Sequence, residues 1–410
     1  MTQEKKTVNR RTFLQNTALV GLAGYSATLP ARSAMAAQSS KRRFRIGLIG
    51  RSTRWAGYGH ELDEAWADFP NCEIVAIADH HDEGRARAGK KLGVSELYSD
   101  YHEMLDKAKP DVACICTGRV DLHCEMALEA AERGIHIYME KPFVQTLEQA
   151  DKVVDACDAN GIKFNLALWT HYSPMLHRVK QLIDDGAIGN VLEYRCRGKE
   201  DSRGGGEDLW ILGIHVLDMV HVLGGYPEWC FARMTHDGKP VTKEHFKEGS
   251  DGIGVIAGNA LQAMWGMPDG STAYFGSHRE TRGEPTRNAL QIFGSEGILE
   301  IREGSMPPVK YLADSSWSPG LSGKEWQNVS STGIGEPEPL EGRHYETRHG
   351  LGIVDLLDAI EHDRRPACDA REARAVTEMI LSVYESHRRN APVPLPLELR
   401  AHPFTQPFSH

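Results

Sequence analysis

The sequence predicts an α/β protein built in two parts: a parallel sheet covered by helices on both faces, then a second part dominated by a large, open, mostly antiparallel sheet. Three observations predict it. Five short apolar runs, Phe44–Ile49, Glu73–Ala78, Asp111–Cys116, Ile135–Met139 and Lys163–Leu168, alternate with amphipathic stretches, the pattern of strands buried on both faces. Further on, Val191–Arg197 and then Cys230–Thr235, Gly252–Ala257, Ala260–Met267, Thr272–Ser277, Ala289–Phe293 and Ile298–Ile301 read as strands. The last six have turns rather than helices between them, which argues for antiparallel pairing. Finally, Glu140-Lys141-Pro142 ends an apolar run and sets a lysine at the carboxyl end of a buried strand, where open α/β sheets bind ligands.

Taken in order, the first strand ends at Gly50. A dinucleotide-binding turn normally has glycine two residues later, but here that position is Ser52. Glycines return at Gly57 and Gly59, just before the helical stretch Glu61–Asp68. This reads as a lengthened turn in which Gly57 or Gly59 gives backbone access to a pyrophosphate at the helix start. Asp79 ends the second strand and suits a ribose 2′-hydroxyl. Arg51, Arg54, His80 and His81 lie near enough in sequence to leave a 2′-phosphate open, so the cofactor is NAD or NADP, with the carboxylate favouring NAD. Asp121 is placed to cap a helix over Leu122–Arg133. Thr146 and Gln149 form a capping box before Leu147–Asn160, which Gly161 closes.

Pro142 bars Lys141 from the helical region, so its ammonium has a fixed origin. Beside a nicotinamide such a lysine can hydrogen-bond a substrate hydroxyl and accept or return its proton. The helix Asp208–Leu223 is apolar on nearly all sides yet carries His215 and Asp218 one turn apart. Polar groups in a buried helix must be paired or used.

The irregular turn, Asp79, Cys116-Thr117-Gly118, His123 and Glu140-Lys141-Pro142 together resemble the glucose-fructose oxidoreductase / inositol dehydrogenase (Gfo/Idh/MocA) family. So do Trp169-Thr170-His171-Tyr172, Leu182–Gly189 leading into Val191–Arg197, and Gly294–Glu300. The resemblance runs from about Arg43 to Arg388. It implies an N-terminal Rossmann domain, a C-terminal α+β domain, a sugar or cyclitol bound between them, and hydride exchange with NAD or NADP. It places Gly50, Ser52, Gly57, Gly59, Asp79, Thr117, His123 and Glu140 at the cofactor and His171, Tyr172 and Asp218 at the substrate. It makes Lys141 and His215 catalytic. The family often has an aspartate four residues before that histidine; here it is Ile211. Asp218, Glu200, Asp201, Glu207 or Asp208 is left to orient His215 instead.

The domains expected are a leader at 1–37, the Rossmann domain at 42–168, a substrate and oligomerisation domain at 169–389, and a Pro-rich tail at 390–410 that wraps over a neighbour or the sheet edge. The leader carries Asn9-Arg10-Arg11-Thr12-Phe13-Leu14, a twin-arginine signature, before the apolar Thr17–Leu29 and the small-residue site Ala34-Met35-Ala36. That predicts export by the twin-arginine route to the periplasm or beyond, without a membrane span. Removing residues 1–36 takes away five basic residues and one acid, so a net charge of −10 becomes −14. So acidic a chain does not suit nucleic acid or anionic membrane. No Cys-x-x-Cys or His-x-x-x-His pair predicts a metal, and the eight cysteines are expected to be mostly reduced and buried. An open sheet needs a cover, which predicts a homodimer or homotetramer. The loop Arg203–Gly206 is expected to bend over the pocket, and Asp314–Gly342 to carry no regular structure. A glycosidase working through transient oxidation and a carbohydrate-binding protein without turnover stay open beside the dehydrogenase.

Overall fold

The structure is a computed structural model, and residues 42–51 and 59–408 are described. The leader, Ser52, Gly57 and their neighbours Arg54, Trp55 and Tyr58 lie outside the described residues.

The first domain is an all-parallel six-stranded sheet. Strands β1 (Phe44–Ile49), β2 (Cys72–Ala78), β3 (Leu97–Tyr98), β4 (Val112–Ile115), β5 (His136–Met139) and β6 (Phe164–Leu166) lie in the order β3-β2-β1-β4-β5-β6. Every residue of β4 is buried, as expected of a central strand covered on both faces. The order reverses between β1 and β4, and that switch point opens the crevice at the strands' carboxyl ends. Helices α1 (Asp82–Leu92), α2 (Tyr101–Ala108), α3 (Val120–Glu132) and α4 (Leu147–Asn160) fill the crossovers. Thr146 caps α4 by accepting from the Gln149 N–H at 3.2 Å, and Gly161 closes it in the left-handed conformation. Asp121 does not cap α3. The helix starts one residue before it, and its carboxylate pairs with Arg119 at 2.7 Å.

The second domain is a ten-stranded, mixed but mainly antiparallel sheet. Its strands are β7 (Val191–Arg197), β8 (Trp229–His236), β9 (Lys239–Pro240), β12 (Ala260–Gly266), β13 (Thr272–His278), β14 (Ala289–Gly294), β15 (Ile298–Ile301), β16 (Val309–Leu312), β17 (Gln327–Val329) and β18 (Val393–Pro394). The small pair β10 (Lys247–Glu248) and β11 (Val255–Ile256) stands apart, so the expected strand Gly252–Ala257 does not join the sheet. Gly252 instead closes a turn in which Asp251 takes φ 54°, packed against α3. Asp314–Gly342 is less irregular than its Ser, Gly and Pro content suggests, since β17 pairs with β16. Only β7 and β13 pair in parallel.

Alternation decides which face is covered. Cys230, Ala232, Met234, Leu261, Ala263, Trp265, Ala273 and Phe275 point inward and are buried. They meet the 20-residue helix α9 (Ala370–Arg389), to which the Trp265 indole donates at Ser382 Oγ (3.0 Å). The opposite face carries Phe231, Met264, Tyr274 and Arg195 in one register row, with Phe231 and Tyr274 exposed. Helices α5 (Pro174–Asp184), α6 (Gly206–Ile211), α7 (Gly213–Gly224) and α8 (Gly350–Glu361) complete the junction between the domains. Seven of the cysteines are buried, Cys72 is half-buried, and all eight are free. No helix among the described residues is long and apolar enough to cross a membrane.

The tail takes the sheet edge rather than a neighbour. β18 pairs with β8, and Leu397 and Phe404 enter the core. Glu378 of α9, fully buried, ties this return together. Its carboxylate accepts from the Tyr226 hydroxyl at 2.5 Å, Arg374 at 2.9 Å and the Leu397 N–H at 2.8 Å. Glu378→Ala strands the Tyr226 hydroxyl and the Leu397 N–H, leaves Arg374 with Asp151 alone, and is expected to lower stability by about 3 kcal/mol. Urea unfolding checks the loss, and limited proteolysis should show earlier cleavage beyond Asn390.

Candidate active site

Lys141 leaves the end of β5 and is buried, with 6% of its surface exposed. Its ammonium donates to the Ile211 carbonyl at 3.1 Å. That carbonyl is free because the expected single helix Asp208–Leu223 is broken. Leu212 leaves helical geometry (φ −123°, ψ −39°), α6 ends, α7 begins, and the His215 N–H bonds to Leu212 instead of Ile211. Burial pushes the lysine below its ordinary range, against the opposing pull of Glu140, Glu303 and Asp251.

Glu140, also buried, receives His60 Nδ1 on Oε1 at 3.0 Å while Oε2 has no partner. Burial alone would raise its carboxyl, but the His60 bond and the Lys141 charge outweigh it and hold it below the usual range. Gly59 lies against this group: a Cβ there would meet Glu140 Cγ at 3.0 Å and the Cys116 carbonyl at 3.1 Å. His349 braces the arrangement through the His60 carbonyl at 2.9 Å.

His215 stacks on Trp169, ring centroids 5.1 Å apart and planes 8° apart, and the Arg348 guanidinium lies over that tryptophan, 4.9 Å from its ring centroid. Burial, helped by Lys141, His60, Arg348 and Lys199, drives the imidazole well below its ordinary value, so it is neutral at pH 7. Its Nδ1 is buried with no partner. None of the carboxylates expected to orient it does so. Asp208 accepts from the Lys199 and Glu200 N–H groups and from Ser277, and Glu200 is held by Arg287 and the His278 N–H. Asp201 pairs with Arg203, and Glu207 faces Lys247 and the Ser250 N–H. Asp218 pairs with His171 at 2.8 Å. The carboxylate that does face His215 is Glu303, whose Oε2 lies 3.8 Å from Nε2. Sequence reading missed it. It stands two residues past β15 in a stretch without periodicity, and only the fold brings it to the lysine.

Two cavities adjoin these groups. One, of about 270 Å³, is lined by Gly50, Arg51, Asp79, His80, Tyr101 and Leu122 at the β1–β4 switch point. The other, of about 700 Å³, is lined by Trp169, Glu303, Ser305, Tyr345 and Arg348 among others, at the domain junction. The orphaned Glu140 Oε2, the Gly59 cradle and Asp79 at the first cavity fit a dinucleotide. Thr117 lies two residues past β4, its hydroxyl accepting from the Arg119 N–H at 3.1 Å.

Three expected contacts lie elsewhere. His123 is fully buried, with Nδ1 2.8 Å from the Pro142 carbonyl and Nε2 2.7 Å from that of Thr117. It clamps the lysine turn to the β4 end rather than reaching a ligand. Tyr172 is buried, its hydroxyl donating inward to Asn165 Oδ1 at 2.7 Å. His171 donates to Asp218 and, through Nε2, toward the Ala367 carbonyl at 3.1 Å, so both nitrogens carry protons. His171, Asp218 and Cys368 have the ligand types of a metal site, but an imidazolium offers no lone pair. The loop Arg203–Gly206 does not bend over the pocket. A Cβ on Gly204 would lie 2.2 Å from Arg279 Cα, because the glycines pack against neighbouring backbone.

Comparison with known proteins agrees with this architecture. Residues 44–167 match the oxidoreductase family with an NAD-binding Rossmann fold, and residues 176–300 match the GFO/IDH/MocA C-terminal domain. The D-apiose dehydrogenase of Paraburkholderia graminis is 30% identical over 213 residues, 49% of this chain and 55% of that protein. The levoglucosan dehydrogenase of Pseudarthrobacter phenanthrenivorans is 26% identical over 296 residues, 62% of this chain and 72% of the relative. A solved levoglucosan dehydrogenase in complex with NADH and L-sorbose superposes with a TM-score of 0.69 at 21% identity, over 87% of this chain and 99% of that one.

The buried His171–Asp218 pair has a pH signature. Burial disfavours charge on His171, but the Asp218 carboxylate outweighs it and raises the imidazole well above its ordinary 6.5. A raised folded-state value means the contribution is full below about pH 6.5 and is lost as pH rises through the folded value. Urea unfolding near pH 6 and near pH 9.5 should therefore show a loss at high pH that His171→Gln largely abolishes.

Proposed function

The chain belongs to the GFO/IDH/MocA family of oxidoreductases with an NAD-binding Rossmann fold, and we propose that it oxidises a hydroxyl of a sugar or cyclitol with NAD. The observation that carries this reading is the buried Lys141, held at a strand end by the Ile211 carbonyl in a chain whose parallel sheet opens a crevice at its switch point. Sugar substrates named for the relatives, levoglucosan and D-apiose, support the substrate class.

Each residue then has a defined task. Asp79 would hold the adenosine ribose, and the free Glu140 oxygen would accept a hydroxyl of the cofactor. The bound nicotinamide supplies a hydride acceptor. Lys141 has donors to spare beyond its bond to Ile211, so it can hold the reacting hydroxyl, and its lowered pKa lets it take that proton. His215, neutral and fixed by Trp169, offers a second partner to the substrate. The leader supports export by the twin-arginine route to the periplasm. There free cofactor is scarce, so a nucleotide carried inside the folded protein and recycled in place suits the chemistry. The partly apolar outer sheet face, with Phe231, Tyr274 and Arg195, supports a homodimer.

Lys141→Met keeps the stem and removes the ammonium. With NAD and a panel of levoglucosan, D-apiose and myo-inositol, NADH formation should fall about 10²- to 10⁴-fold, with cofactor affinity retained by calorimetry. Near-normal turnover would remove Lys141 from the mechanism. Dialysis of the mature protein without nucleotide should leave a dinucleotide detectable by mass spectrometry after denaturation. Free washout would leave an ordinary dehydrogenase.

A further inference from the structure

We infer that Glu303, together with His215, grips a substrate hydroxyl other than the one whose proton Lys141 takes, and so supplies the carboxylate that position 211 lacks. This rests on the proposed dehydrogenase reading and adds a residue to it. Ile211, on the turn before His215, offers no polar side chain, and His215 Nδ1 has no partner. Polar atoms buried in native proteins are almost always bonded, so an orphan calls for an explanation. The site contains several: His215 Nδ1, Glu303 Oε2, Glu140 Oε2 and Trp169 Nε1. Two belong to groups that face each other, and there the orphan to be satisfied is Glu303 Oε2, since the histidine atom toward it is Nε2 and not Nδ1. Glu303 Oε2 and His215 Nε2 are 3.8 Å apart, too far for a hydrogen bond and close enough for one oxygen atom to lie about 2.8 Å from both.

A hydroxyl there would be doubly satisfied. His215, neutral, donates its Nε2–H to the oxygen, and the hydroxyl donates its own proton to the Glu303 carboxylate. The side chain of Glu303 is 26% exposed and lines the larger cavity, while Oε2 itself is enclosed. The charges around it suit a carboxylate that works in its ionised form. Lys199, Lys141, Arg348 and His60 all favour that form, and only burial opposes it. The net result is a carboxyl raised above its ordinary 4.5. Hydroxyl binding is therefore expected to weaken as pH falls through that raised value. Arg348 and Trp169, stacked behind His215, keep the imidazole face fixed while Glu303 approaches its edge.

The test has two arms. In a crystal structure of the protein grown with glycerol, an ordered oxygen, from water or from a glycerol hydroxyl, should lie within hydrogen-bond reach of both Glu303 and His215. Glu303 turned to solvent, or bonded directly to His215, overturns the proposal. In the second arm, Glu303→Gln should keep the melting temperature and the affinity for NAD. It should raise KM for whichever panel polyol the wild type oxidises by about 10- to 100-fold, the worth of a hydrogen bond to a charged group. It should also flatten the acid limb of kcat/KM, and Glu303→Asp should restore part of the loss. An unchanged KM and pH profile overturns the assignment. If the wild type oxidises no polyol of the panel, the dehydrogenase reading fails by itself, and the crystallographic arm still decides for or against Glu303.

Discussion

One hydrogen bond, from the Lys141 ammonium to the Ile211 carbonyl, is the constraint around which the junction is organised. A buried ammonium without an acceptor is too costly to keep. The acceptor is supplied by breaking a helix, which sacrifices one internal bond and frees a carbonyl at the place where the two domains meet. The same break separates α7 from α6 and so fixes where His215 emerges. Lysine, helix break and histidine are one arrangement, and moving any of them displaces the others.

Around this bond the electrostatics are arranged in opposed pairs. Burial lowers Lys141 and His215 and raises Glu303, each toward its neutral form. Glu140 moves the other way, toward its ionised form, because His60 and Lys141 outweigh its burial. Trp169 adds shape to this, with His215 stacked on it and the Arg348 guanidinium over its ring.

Much of this was legible in the sequence, and the failures have physical reasons. The parallel sheet, the antiparallel second sheet and the strand-end lysine follow from apolar runs whose lengths and turns are local signals. The break at Leu212 was ambiguous in sequence, since Gly213 beside it is a lone glycine of the kind that a continuous helix also tolerates. Glu303 was invisible because its meaning depends on β15 being folded back beside β14, which places it opposite a histidine 88 positions earlier in the chain. Gly204–Gly206 were misread as a lid because glycine signals either mobility or close approach. Here Arg279 backbone lies where a side chain would be. Helical spacing leaves Asp218 open as one of five carboxylates for His215, whereas the tertiary contact with His171 claims it.

The return of the tail has a consequence for how copies of this chain can meet. β8 would otherwise be an open edge, but β9 covers one end of it and β18 the other. With Pro394 at that new margin, backbone amides that would invite another strand are largely withdrawn. Growth of the sheet by strand addition is thus closed on that side. Any association that uses this half of the molecule is left with side chains rather than backbone as its grammar: flat, face-on and saturable, not a ribbon that can extend itself.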